Sequence, residues 1–182
     1  MPETVSGRYV KRSCWSTSTA SSNSDVTFLT TVFCSLHIPI LQTWDNIELE
    51  LFDQAMKTNV YGLLCATQRI APGMIERSKS KQQQQSILVT GATASMRGKP
   101  FTVGFAPQKG AQRLLSQSLA RDLGPKGVHV GLFILDGQVG TSKDFESKLH
   151  PDAIADAYWN VANQHPSAWS FETELRPSVE NW

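Results

Sequence analysis

Ile87-Leu88-Val89-Thr90 runs directly into Gly91-Ala92-Thr93-Ala94-Ser95, an apolar run followed by a glycine and a set of hydroxyl residues. A strand entering a glycine turn is one way to seat a dinucleotide, because backbone N–H groups can then close on the pyrophosphate. That seat needs further glycines, and the positions where they would fall hold Ser95 and Arg97. The acidic residue expected about 20 residues later, after a second strand, is replaced by a helical stretch. The turn is therefore read as something other than a phosphate loop. Residues 1–44 contain a single glycine, Gly7, so no phosphate loop is legible upstream either. Asn59 falls within a helical pattern, where its propensity is poor, which points to a tertiary role for its amide. The three cysteines, Cys14, Cys34 and Cys65, form no CxxC, and His37, His129, His150 and His165 do not cluster. This spacing argues against a zinc site and against a disulfide framework, and the thiols read as reduced, with a cytoplasmic location.

The elements that must position these groups follow from periodicity. Ser13 to Ser24 is a Ser/Thr-rich segment, and residues 1–24 are expected to be disordered, since they bury too little apolar surface to offset their ordering entropy. Val26-Thr27-Phe28-Leu29-Thr30-Thr31-Val32-Phe33-Cys34 reads as a buried strand. From Asn46, a possible cap, to Arg77, the residues Leu49, Phe52, Met56, Val60, Leu63, Leu64 and Ile70 share one helical face, with kinks or ends near Gly62 and Pro72-Gly73. Ser78 to Ser86, with its four consecutive glutamines, reads as a surface loop. Ile87 to Thr90 is a buried parallel strand. Residues 104–123 form a second long helix, with Ala111, Leu114, Leu115, Ser118, Leu119 and Leu123 on its apolar face, and Gly124-Pro125-Lys126-Gly127 stops it. Val128 to Leu135 is another strand, Pro151 to Asn163 a short helix, and Ala168 to Leu175 a last strand. The alternation implies an α/β domain built as a Rossmann-like three-layer parallel sheet.

Composition narrows the function classes. Seventeen Lys and Arg oppose sixteen Asp and Glu, a net charge of +1, so the chain carries no electrostatic signature of nucleic-acid binding. No uninterrupted apolar run is long enough to span a bilayer, so no membrane association is expected. Residues 1–24 also contain Arg8, Lys11 and Arg12, but no amphipathic arginine face of the kind a transit peptide shows.

Several segments, taken in order, resemble the C-terminal portion of a short-chain dehydrogenase/reductase. Asn59 in Lys57-Thr58-Asn59-Val60-Tyr61-Gly62 matches that family's helix asparagine, and Ile87 to Gly98 matches the strand and turn of its catalytic serine region. Phe105-Ala106-Pro107-Gln108-Lys109 matches the Tyr-x-x-x-Lys motif with phenylalanine in place of tyrosine. Ser118 to Gly124 matches the end of the same helix, and Asp136-Gly137-Gln138-Val139-Gly140-Thr141 matches the Pro-Gly-x-Val-x-Thr loop beside the nicotinamide. A divergent branch of the family is similar in its Gly-Ala-Thr-Ala-Ser-x-Arg-Gly turn and in segments like Ser167-Ala168-Trp169 and Leu175-Arg176-Pro177. The family's glycine-rich loop and its first strand–helix units are not legible in residues 1–45, and residues 25–182 are therefore read as a partial domain, truncated at its N-terminal side. A truncated or mis-spliced product would have this form.

The resemblance implies an NAD(P)-dependent oxidoreductase acting on a carbonyl or alcohol of a small molecule. In that family a tyrosine hydroxyl exchanges a proton with the substrate, a lysine one turn later lowers its pKa and binds the nicotinamide ribose, a serine polarises the carbonyl, and the asparagine holds a relay water. Carried onto this chain, the catalytic positions are Asn59, Phe105 and Lys109. The serine position, thirteen residues before Phe105, falls on Ala92, leaving Ser95 or Thr93 as the substitute. The cofactor positions are Asn59, Lys109, Gly137, Val139 and Thr141. With Phe105 lacking a hydroxyl and no phosphate loop, catalysis is expected to be impaired and NAD(P) binding weak. The resemblance also implies homo-oligomerisation through the helices of 46–77 and 104–123. The alternative is a non-catalytic oligomerisation or scaffold protein.

Overall fold

The computed structural model describes residues 40–81, 84–140 and 147–179. The expected Ser/Thr-rich segment, the strand at 26–34 and Thr141 lie outside these residues. Three strands, β1 (Gln85–Ala92), β2 (Val128–Leu135) and β3 (Glu172–Leu175), form one parallel sheet in the order β1-β2-β3. The register pairs Gln85 with Val128 at one end of β1 and Ala92 with Leu135 at the other, and Leu132 with Glu172 where β3 begins. The apolar runs at 87–89 and 128–135 become strands because both their faces are covered.

Helix α1 (Leu49–Met56) leads through a π-helical turn at Lys57–Tyr61 into α2 (Gly62–Lys81), which covers one face of the sheet together with α3 (Ala106–Leu123). Leu63, Ala71 and Met74 of α2 and Leu123 of α3 pack there on Ile87, Val89, Val130, Leu132 and Ile134. Helix α4 (Pro151–Ala162) covers the opposite face, where Tyr158, Val161 and Ala162 meet Leu88 and Phe133. This is the expected three-layer α/β arrangement. Pro151 occupies the first turn of α4, and the His150 side chain accepts a hydrogen bond from Asp152 N. The turn after α3 ends at Gly127, whose φ of 82° suits glycine; a Cβ there would lie 2.1 Å from Ser78 Oγ.

Four expectations need correction. Asn46 does not cap the helix, which begins at Leu49; its Nδ2 instead donates to Thr43 Oγ1 within a short preceding turn. Neither Gly62 nor Pro72-Gly73 ends the helix. Pro72 lies inside α2, which runs on to Lys81, with Ala71 and Met74 buried on either side of it. The glutamine run is not simply a surface loop: Ser78 to Lys81 are helical, and Gln85 opens β1 fully buried. Gln84 Nε2 donates to the carbonyls of Ala162 and Gln164 at 2.8 and 2.7 Å, satisfying acceptors at the C-terminal end of α4.

The fourth correction concerns the inward faces of the long helices. The residues buried along the first helical run are Ala55, Asn59, Leu63, Thr67, Ala71 and Met74. Of the predicted apolar face only Leu63 is among them, while Leu49 and Leu64 are exposed. On α3 the buried residues are Gln108, Lys109, Gln112, Ser116 and Leu123, and Leu114 is exposed. Small and polar residues thus hold many of the most buried positions, while Ile70, Leu115 and Leu119 of the predicted faces pack, partly buried, against the core. Part of the apolar face lies at the helix flanks.

Candidate functional site

The site is assembled on the first turns of α3. Phe105, at its N-cap, is 8% exposed, and Lys109 one turn later is 4% exposed. Lys109 N donates to Phe105 O at 3.2 Å, so the four-residue spacing does place the two on one helical face. Lys109 Nζ donates to Gln112 Oε1 at 3.0 Å and approaches Thr90 O, on β1, at 3.4 Å. The ammonium is therefore buried between α3 and β1, where a solvated lysine on an exposed face would not be.

Asn59 lies in the π-helical turn, 1% exposed. Its Nδ2 donates to Ala55 O at 3.1 Å and to Gln108 Oε1, while Gln108 Nε2 donates to Gly104 O at 3.0 Å. The side chain of Gln108, a neighbour of Lys109 in sequence, thus ties the asparagine to α3. Asn59 Oδ1 is buried without a hydrogen-bond partner among the described residues. The same is true of Ser95 Oγ, at the end of the 3₁₀ turn Thr93–Ser95 that follows β1. Ser95 lies beside α3: a Cβ on Gly110 would sit 3.9 Å from Ser95 O. The structure accordingly brings Asn59, Ser95, Phe105 and Lys109 together around one helix end.

Thr93 is placed differently from Ser95. Its Oγ1 donates to Asp136 Oδ1 at 2.5 Å, which occupies the hydroxyl proton and makes Thr93 the poorer donor to any bound group. Asp136, 6% exposed, stands at the end of β2, where the family pattern has proline. Its carboxylate also faces Arg97 Nη2 at 3.7 Å and Arg176 Nη2 at 3.5 Å, and its backbone N donates to Leu175 O at 2.8 Å. One side chain thus ties together the loops after all three strands. Gly137 follows with a φ of 151°, outside the range other residues favour. Val139, half exposed, pairs in an isolated parallel bridge with Leu149. Gly140 N and Leu149 N, donating to Leu149 O and Gln138 O, fix this loop at the carboxyl ends of the strands.

Sequence reasoning missed Gln108, Gln112, Arg97 and Asp136. For Gln112 the available signal was its place three residues after Lys109, on the same helical face. For Asp136 it was an acid in a position where the loop pattern has proline.

These residues fit a dinucleotide only in part. The orphaned Ser95 Oγ and Asn59 Oδ1 are unused hydrogen-bonding capacity beside the helix end. The Lys109 ammonium, however, is buried and donates to Gln112 Oε1, with Thr90 O at 3.4 Å. Gly91, in the glycine turn, faces β2 closely: a Cβ there would lie 3.1 Å from Phe133 O. It serves strand packing, and no cradle of backbone N–H groups for a pyrophosphate is present among the described residues. The described residues do not complete a cofactor seat. Nor do they contain a group of three or more His, Cys, Asp or Glu able to hold a metal, or a helix long and apolar enough to cross a membrane.

Comparison with known proteins places this geometry. The family model for short chain dehydrogenases matches residues 38–144. The crystal structure of a short-chain dehydrogenase from Rhodopseudomonas palustris is 33% identical, with a TM-score of 0.61 over 82% of this chain and 61% of that one. Two structures share the fold at lower identity. Serine dehydrogenase from Escherichia coli is 21% identical, with a TM-score of 0.70 over 84% of this chain and 65% of that one. An alcohol dehydrogenase from the archaeon Thermococcus sibiricus, complexed with 5-hydroxy-NADP, is 18% identical, with a TM-score of 0.70 over 83% and 64%. The chain spans less than two thirds of the length of each of these proteins. The matched segment takes in Asn59, Ser95, Phe105, Lys109 and the 137–140 loop, and the chain belongs to the short-chain dehydrogenase family.

Proposed function

We propose that this chain is a divergent NAD(P)-dependent oxidoreductase of that family, acting on a carbonyl or alcohol of a small molecule in the cytoplasm, with its proton-transfer chemistry impaired. The observation that carries the reading is the pairing of Phe105 with Lys109. Lysine and asparagine are retained at the matching positions, while the hydroxyl donor is absent and the ammonium is held by Gln112. Loss of a positioned proton donor costs ~10²–10⁴-fold in rate. The nicotinamide cofactor would supply or accept the hydride. This chain's share is to orient the reacting oxygen, through Ser95, and to hold the 137–140 loop through Asp136. Weak cofactor binding is expected because the described residues offer no pyrophosphate cradle. Calorimetric titration of the purified chain with NADH and NADPH is expected to give dissociation constants no tighter than roughly millimolar. Micromolar affinity would overturn that part of the reading.

A second reading, a non-catalytic scaffold or oligomerisation role, is supported by the flanks of the long helices. Tyr61, Leu64 and Leu114 are exposed there, at 56%, 38% and 63%. Self-association through the helices of 46–77 and 104–123 would cover them. Sedimentation at tens of micromolar is expected to show a dimer or larger species, weakened by Leu114→Lys. A single 20.1 kDa species would count against it.

A further inference from the structure

Among the described residues, the loop after β1 carries a cation that the fold does not use up. Arg97 follows the Thr93–Ser95 turn, and its side chain is 46% exposed. Its ion-pair contact among the described residues is the 3.7 Å approach of Nη2 to Asp136 Oδ1, longer than a charge-assisted hydrogen bond. Asp136 does not depend on it. Thr93 Oγ1 donates to that carboxylate at 2.5 Å, and Arg176 stands at 3.5 Å on the other oxygen. Arg97 can therefore turn to an incoming anion without leaving Asp136 uncompensated. Asp136 meanwhile holds the guanidinium over the strand ends, where open α/β sheets take their ligands.

The surroundings describe the rest of the ligand. Met96, next to Arg97, Phe101 and Val103 further along the segment after β1, and Val139 on the loop after Asp136, are all exposed apolar side chains. A guanidinium fork beside apolar surface suits a planar carboxylate attached to an apolar body, with the two oxygens meeting parallel N–H donors. We propose that Arg97, positioned by Asp136, recognises the carboxylate of the substrate, and that the substrate class is an apolar 2-oxo or 2-hydroxy acid. This rests on the oxidoreductase reading above and assigns its substrate class.

The test does not require turnover. The purified 182-residue chain is titrated with 4-methyl-2-oxopentanoate and with its methyl ester, which keeps the apolar body and removes the charge. Binding is followed by chemical-shift changes in the protein. The acid is expected to bind about tenfold or more tighter than the ester. Arg97→Gln should lower acid binding to the ester's level, and Arg97→Lys should restore part of the difference. Lys99→Gln, a nearby change of the same charge, should leave it intact. Circular dichroism of each variant checks the fold. Equal binding of acid and ester by the wild type, no binding of the acid, or undiminished acid binding by Arg97→Gln would each overturn the proposal. The oxidoreductase reading fails separately. If acid binding depends on Arg97 but a full-length protein with bound cofactor turns over neither oxo acids nor other carbonyl compounds, the recognition site stands and the redox assignment falls.

Discussion

Phe105→Tyr, in a full-length protein that carries these residues behind an intact glycine-rich cofactor loop, is expected to raise carbonyl reduction by ~10²-fold or more. The substitution adds one hydroxyl to an 8% exposed side chain one helical turn before Lys109. Two polar groups stand near this helix end: Asn59 is fixed by Gln108 and Ala55 O, and Ser95 Oγ has no partner among the described residues. The competing outcome is a protein already active through another hydroxyl. The geometry separates the two candidates, because Thr93 already donates its proton to Asp136, whereas Ser95 has no such acceptor. In that case Phe105→Tyr changes little, Ser95→Ala abolishes turnover, and Thr93→Val acts only by loosening the strand-end loops. Reductase rates over a panel of ketones, aldehydes and oxo acids distinguish these results. A protein that binds cofactor yet stays inactive as wild type and as Phe105→Tyr would sink the enzyme reading in favour of the scaffold.

The largest effect on stability is expected at Phe133. It is fully buried on the face of β2 that meets α4, and its ring stacks on Tyr158 with centroids 3.6 Å apart and planes within 14°. Tyr158 is fixed from its other end by the 2.8 Å hydrogen bond between its hydroxyl and Thr90 Oγ1. Burial pushes the phenol pKa up to about 12, so the hydroxyl stays protonated throughout the neutral range. The anchored ring cannot swing in to fill the space that Phe133→Ala would open. The substitution should therefore cost the full cavity penalty, about 3–5 kcal/mol. Urea denaturation and thermal melting should show it as a fall in midpoint of roughly 10 °C or more. Trp159→Ala, at a half-exposed position on the same helix, should change stability by less than about 0.5 kcal/mol. A Phe133→Ala protein as stable as the wild type would mean that α4 does not dock as described.

What could be read from the sequence depended on whether the signal was local. β1 and β2 announce themselves because they are continuous apolar runs, and α3 ends where Gly124-Pro125-Lys126-Gly127 says it must. The family likeness rests on residue types at fixed spacings, and these are local too. Several of the misreadings involve partners distant in sequence. Gln84 looked like a loop residue because nothing nearby shows that the carbonyls of Ala162 and Gln164 await its amide. The burial of Lys109 was not legible, because its acceptors, Gln112 Oε1 and Thr90 O, come from the next helical turn and from another layer. The inward face of α2 was misjudged because apolar periodicity picks out leucines, whereas the most buried positions also include Thr67 and Ala71. The Asp136 cluster was beyond sequence reasoning for the same reason, since it joins three loops that only the sheet brings together.

The order β1-β2-β3, with parallel pairing throughout, also sets a timetable for folding. Each ladder joins residues roughly forty positions apart, with α3 intervening before the first and α4 before the second. No hairpin can nucleate the sheet, so helix docking has to precede strand pairing and folding should occupy milliseconds to seconds. During synthesis Ile87-Leu88-Val89 leaves the ribosome well before its partner strand does, an interval on the order of seconds at ordinary elongation rates. Throughout that interval the most apolar segment of the domain has no strand from β2 to pair with, and chaperone capture or aggregation competes with productive folding there.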